Sequence, residues 1–340
     1  MARIVTLGEM MIRLMPRNNL RIEQASSFDA FYGGDESIVA VSLSRFGIQS
    51  RFVTKLPNNV LGDVALSMLR AHHVDTAFIA RGGERLGLNF YESGASMRPS
   101  KVVYDRKHSA ISEADPQDFD FDAIFSDADW FHVSGITPAL SDKTAKLTEI
   151  AMQAAKRHNV TVSVDLNYRR KLWSPEKAKE VMTGLMKYVD VCIGNEEDAE
   201  ITLGFKPAGT DVYKGELNIE GYKSVFKQLK DAFGFQYIAS TLRESFSASD
   251  NGWSALVYDG NEFYHSHKYD IHLVDRGGGG ASFAAGLIYG ILSEKPLAEM
   301  AEFAVAASAL KQTIIGDFNY ATLEDVTNLC MGDLSGRIQR

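Results

Sequence analysis

Four consecutive glycines sit in "VDRGGGGASFAAGLIYG", residues 274–290, directly ahead of an apolar, helix-like run. Glycine lets backbone N–H groups approach an anion closely, and the start of the following helix adds a favourable dipole. That is the chemistry of a phosphate cradle. A flexible turn is the plainer reading, but each glycine costs entropy in an ordered loop. The spacing is neither the G-x-x-x-x-G-K-[ST] pattern nor G-x-G-x-x-G. The residue after the last glycine is Ala281, where a phosphate-transfer site would want a carboxylate.

Other chemistry-bearing stretches follow apolar runs. In "VDLNYRRKLW" (164–173), Asp165 and Asn167 precede Arg169, Arg170 and Lys171. Such arginines clamp a carboxylate or phosphate, or form a solvated basic turn. In "CIGNEEDAE" (192–200) the acids suit the first turn of a helix. Alternatively, Asn195 and Asp198 hold a metal–water shell beside phosphates. "STLRES" (240–245) offers hydroxyls and Arg243 to a nucleotide, although hydroxyls are common in turns. "YGGDESIVA" (32–40) is a second glycine pair ahead of a helix pattern. The eight histidines are scattered and form no metal-ligand pattern, so no protein-held metal site is expected.

The elements that must position these residues read as α/β. "RIVTLG" is a buried first strand, and 37–47 has helical spacing ending at Gly47. From 124 onward, strand and helix patterns alternate, which predicts a parallel sheet with helices on both faces. In an open parallel sheet, ligands sit at the carboxyl ends of the strands. Residues 76–108 alternate apolar and polar positions with glycines between, as in an antiparallel sheet with one wet face. Segments 10–30 and 76–108 are therefore expected to form a small β-lid inserted into one α/β domain.

Composition narrows the function classes. A chain of 340 residues with 45% hydrophobic and 24% charged residues suits a globular enzyme. A net charge of −8 argues against nucleic acid as partner. Two cysteines give no disulfide framework and fit a reducing cytosol. No signal-like or membrane-spanning run is visible, so a cytoplasmic protein with a small-molecule ligand is expected.

Together these stretches resemble the ribokinase-like (PfkB) family of carbohydrate kinases, in particular its 2-keto-3-deoxygluconate kinase branch. The carriers are "YGG" (32–34), "GASMRPSKVVYDR" (94–106), "DLNYRRKLW", "IGNEEDAE", "TLRESFSAS" (241–249), "VDRGGGGASFAAGLIYG" and "GDFN" (316–319). They span nearly the whole chain. The resemblance implies one ribokinase-like domain over 1–340, a three-layer Rossmann-like sheet with a lid, and a homodimer or higher oligomer formed through the lid. It implies transfer of the ATP γ-phosphate to a sugar hydroxyl with Mg²⁺. By position, it implies that Gly34, Phe90, Tyr104, Arg106, Asn167 and Arg169 hold a sugar acid, with Asp317 a further carboxylate. It puts Asn195, Thr241 and Arg243 beside the nucleotide, with Gly278 and Gly280. Gly278, Gly279 and Gly280 would form the anion hole for the transferring group, with Arg169 nearby.

The departures are as informative. The family pattern is roughly D-x-x-G-[AG]-G-D, and its last Asp, the general base, is Ala281 here. Losing a positioned base costs about 10²–10⁴ in rate, so the resemblance implies a severely impaired or inactive kinase. Gly277 stands where the branch usually has a larger residue, Ile38 where an Asn touches the sugar, and Asp198 where a Glu is usual. The changes at Gly277, Ile38 and Ala281 predict a roomier, more apolar pocket, altered by engineering or in a pseudokinase lineage. Two alternatives stay open: a small-molecule binding module, and a re-purposed enzyme using Asp35, Glu36, Ser37 and nearby tyrosines.

Overall fold

The computed structural model describes residues 2–206 and 218–333; Met1, 207–217 and 334–340 lie outside the described residues. Short β-branched and aromatic runs build a nine-stranded sheet. Its order is Phe263–His265, Asp250–Tyr258, Tyr237–Ser245, Val191–Ile193, Thr161–Asp165, Trp130–Ser134, Arg3–Leu7 and Gln49–Val53. Tyr269–His272 also pairs with Asp250–Tyr258. The sheet is parallel from Gln49–Val53 to Tyr237–Ser245. Beyond that it turns antiparallel, because Asp250–Tyr258 follows its neighbour through a tight connection rather than a helical crossover.

Successive strand residues feed opposite cores. Ile4 and Trp130 join the core under helices Asp35–Arg45, Gly279–Leu292 and Leu297–Lys311. Val5 and Phe131 join the core under Asp142–Arg157, Pro175–Leu185 and Ile219–Phe233. The three-layer reading holds. The Gly279–Leu292 helix lies very close to Leu297–Lys311: a Cβ on Gly286 would fall 2.7 Å from Ala304 Cα. This contact fixes the height at which the glycine run meets the strand ends.

A separate four-stranded sheet is ordered Phe28–Gly33, Met11–Pro16, Gly87–Glu92, Lys101–Asp105. It differs from the expected lid in two ways. Residues 76–86 are not part of it; Ala80–Arg81 pairs with Lys55–Leu56 in a two-stranded sheet. The central pair, Met11–Leu14 with Gly87–Phe90, is parallel rather than antiparallel. The long excursion between them, through two helices and a strand of the main sheet, returns the chain in the same direction.

Candidate active site

The glycine run is the start of a helix. Gly278 caps it in the left-handed region at φ +79, and a Cβ there would lie 2.5 Å from the Asp317 carbonyl oxygen. Only glycine suits that position. The helix ladder begins with Ser282 N–H donating to Gly278 O at 2.9 Å. The amides of Gly279, Gly280 and Ala281 therefore have no place in it. The turn is held from below: Ser308 Oγ donates to Gly279 O at 2.7 Å and accepts from Trp253 Nε1 at 2.9 Å.

Asp275 braces the turn from the side. Its carboxylate accepts Gly277 N–H and Gly316 N–H, each at 2.9 Å, and both terminal nitrogens of Arg13, at 2.9 and 2.5 Å. Arg13 is buried between the Phe31 and Tyr91 rings, 5.2 and 5.1 Å from their centroids, with Asp317 at 3.4 Å. Burial alone would lower its pKa; Asp317 and Asp275 outweigh that and raise it. Lys311 is fully buried nearby, donates to Ile314 O at 3.0 Å, and is pushed down to about 8 by desolvation.

Opposite the turn, the Thr161–Asp165 strand delivers Asp165, Asn167 and Arg169 at its carboxyl end. Asp198 accepts Tyr168 N–H at 2.9 Å and Asn195 N–H at 3.4 Å. Asn195 in turn caps the Glu196–Leu203 helix through Asp198 N–H at 2.8 Å. Asp35 opens the Asp35–Arg45 helix, after Gly34. Burial raises Asp35 to about 6, against the pull of Arg169 and an Asn167 hydrogen bond. Burial and the neighbouring Asp35 raise Glu36 to about 7, although Ser134 and Thr137 hydrogen-bond it. Burial, Asp35 and Asp198 raise Asp165 well above its usual range. Burial also raises Asp317, with Arg13 opposing.

A hollow of about 460 Å³ brings together Gly34, Ile38, Tyr104, Asn167, Arg169, Asn195, Thr241, Arg243, Gly278, Gly279, Gly280, Ala281 and Asp317. Two residues expected at a sugar acid are not there. Phe90 lies between Asn89 and Tyr91, which line the hollow, so strand alternation turns it away; it packs edge-on against Phe28 at 5.8 Å. Arg106 is taken up by a buried ion pair to Glu9 and lines an adjoining hollow of about 930 Å³.

The expected apolar pocket is also absent. Four arginines and four aspartates line the hollow. Nor does Gly277 leave free room: a Cβ there would meet Arg13 Nη1 at 2.7 Å. Arg13, Tyr91, Arg276 and Lys311 were not singled out by sequence reasoning. For Arg13 a signal existed, a lone arginine inside the apolar strand "MIRLMP". Among the described residues, no group of three or more His, Cys, Asp or Glu side chains forms a metal cage.

A glycine turn at a helix start and a polar hollow at the ends of parallel strands are consistent with a carbohydrate kinase. The chain belongs to the pfkB family of carbohydrate kinases, whose model matches residues 1–317. It is 49% identical to 2-dehydro-3-deoxygluconokinase from Thermotoga maritima, whose crystal structure it matches with a TM-score of 0.94 over 98% of this chain and 100% of that one. It is 32% identical to 2-dehydro-3-deoxygalactonokinase from Haloferax volcanii, over 98% of each chain. An E. coli structure in complex with ATP and Mg²⁺, 18% identical, shares the fold with a TM-score of 0.82 over 97% of this chain and 99% of that one.

Proposed function

We propose that the chain transfers the γ-phosphate of ATP to a hydroxyl of a 2-keto-3-deoxy sugar acid, with no carboxylate at position 281. The observation that carries this is the Gly278–Gly280 turn facing Arg169 and Asn167 across one polar hollow. The names and close similarity of the Thermotoga and Haloferax enzymes support the substrate class. Arg169 offers a guanidinium for the sugar carboxylate, and Tyr104 and Asn167 offer hydrogen bonds beside it. Asn195, Thr241 and Arg243 line the nucleotide end.

The amides of the glycine turn are fixed before the substrate arrives. They stabilise charge that develops on the transferring group without reorganising. Mg²⁺ bound with the nucleotide would neutralise phosphate charge, and Asp198 and Asn195 would hold it through water. This fits an ion that takes only one or two protein carboxylates and keeps several waters. Ala281 is 1% exposed and carries no polar atom, so it takes no proton. Relative to a carboxylate there, the transfer is slower by up to about 10²–10⁴. We further propose that two copies pair through the Lys101–Asp105 edge strand, which leaves Val103 55% exposed.

The test is product analysis. ATP, Mg²⁺ and 2-keto-3-deoxygluconate or its galacto epimer are incubated with the protein, and phosphorylated sugar acid is sought by ³¹P NMR. A slow, ATP-dependent phosphomonoester signal is expected. ADP release without sugar phosphate would contradict the reading.

A further inference from the structure

The starts of two helices meet at the hollow. A Cβ on Gly278 would touch Ile38 Cδ1 at 3.4 Å, and Ile38 lies three residues along the helix from Asp35. Asp35 and Ala281 line the same cavity. The Asn167 side chain lies near the Asp35 carboxylate and favours its charged form. Asp35 Oδ2 is shielded from solvent and has no hydrogen-bond partner among the described residues.

Three neighbouring carboxylates, Glu36, Asp317 and Asp198, already have protein partners, while Asp165 also lines the hollow at the end of the adjacent strand. Glu36 Oε1 accepts from Ser134 N, Ser134 Oγ and Thr137 Oγ1 at 2.9, 2.7 and 2.6 Å. Asp317 faces Arg13, and Asp198 accepts two backbone amides. An unpartnered buried oxygen costs free energy until a donor reaches it. When the hollow fills, a substrate hydroxyl is such a donor.

We propose that Asp35 takes over the proton transfer that Ala281 cannot perform, accepting the proton of the sugar hydroxyl that attacks the nucleotide. This rests on the sugar-kinase reading above. The hydroxyl oxygen forms a bond to the γ-phosphorus while the bond from that phosphorus to ADP breaks, and ADP leaves with the electron pair. The hydroxyl proton passes to Asp35 Oδ2, then to water once products leave. Burial raises Asp35 toward the range that suits a base at neutral pH. The charged groups facing it are Glu36 on its own helix, Asp165 at the end of the adjacent strand, and Arg169 beyond that strand.

The experiment compares wild type, Asp35→Asn, Ala281→Asp and the double variant, with 2-keto-3-deoxygluconate and ATP–Mg²⁺. Binding of ATP–Mg²⁺ by calorimetry and thermal melts control for folding. Expected is a kcat loss of about 10²-fold in Asp35→Asn, nearly unchanged ATP affinity, loss of the acid limb of the pH profile, and recovery in the double variant. Wild-type turnover unaffected by Asp35→Asn overturns the proposal and leaves the kinase reading intact. So does product from Ala281→Asp with none from wild type. If no variant makes sugar phosphate, both fall together.

Discussion

At the scale of single residues, the site is a set of carboxylates and arginines whose roles depend on who is already paired. Arg13 and Arg106 are committed to Asp275 and Glu9, while Arg169 lines the hollow among Asp35, Asp165 and Asp198 and donates to the Tyr168 carbonyl at 2.9 Å. Arg169→Ala is therefore expected to raise KM for the sugar acid by roughly 10–10²-fold, the size of one charge-assisted pair, with a smaller effect on KM for ATP. Steady-state kinetics with each substrate varied in turn checks this. Ala281→Asp is expected to raise kcat by about tenfold or more, because it puts a carboxylate beside the glycine turn where the proposed transfer takes place. The glycine run, Asn167, Arg169 and the alanine at 281, which the structure brings to one hollow, were legible in the sequence because they stand next to one another or directly after strands. Arg13 was not, since its partners Asp275 and Asp317 lie some two hundred and sixty residues or more away. Phe90, expected by resemblance at the sugar acid, stands one step from Asn89 and Tyr91, and that single step puts it on the other face of its strand.

At the scale of elements, the cradle is a helix start whose geometry is imposed by what packs around it. Gly278 and Gly280 make a useful contrast. Alanine at 278 meets a backbone oxygen and a left-handed φ, and such strain costs on the order of 1–3 kcal/mol. Alanine at 280 meets nothing within 4 Å, because that side faces the open hollow. Thermal melts are expected to show Gly278→Ala destabilised and Gly280→Ala near wild type, while both lose phosphoryl transfer. A Gly280→Ala variant with full activity would show that the hollow beside the turn is not where the phosphoryl group passes. Asp275→Ala removes the partner of a buried arginine and two backbone amides, a loss of about 3–5 kcal/mol. Alternation of strand and helix patterns was readable because each has its own period. The parallel pairing inside the small sheet was not, because the direction of return depends on the intervening chain rather than on residues 11–16 or 87–92 themselves.

At the scale of the whole molecule, burial of acids at the strand ends couples stability to pH. Asp35, Glu36 and Asp165 all have pKa values raised on folding. Between an unfolded carboxylate's usual range and about 6–7, the folded state then holds more protons than the unfolded one, so stability falls as pH rises through that window. Asp35→Asn removes part of this penalty. The difference in Tm between Asp35→Asn and wild type is expected to grow in favour of the variant from about pH 5 to 7; a difference that stays flat would mean Asp35 is solvated. No helix among the described residues is long and apolar enough to cross a membrane. The proposed pairing through Lys101–Asp105 predicts a dimer by light scattering that Val103→Glu weakens. The account as a whole stands on one reaction. Wild-type protein, ATP–Mg²⁺ and 2-keto-3-deoxygluconate should yield a phosphorylated sugar acid, seen by ³¹P NMR, at a rate that falls when Asp35 becomes Asn. ATP turnover with no phosphate on the sugar, or no turnover in wild type and Ala281→Asp alike, would contradict it.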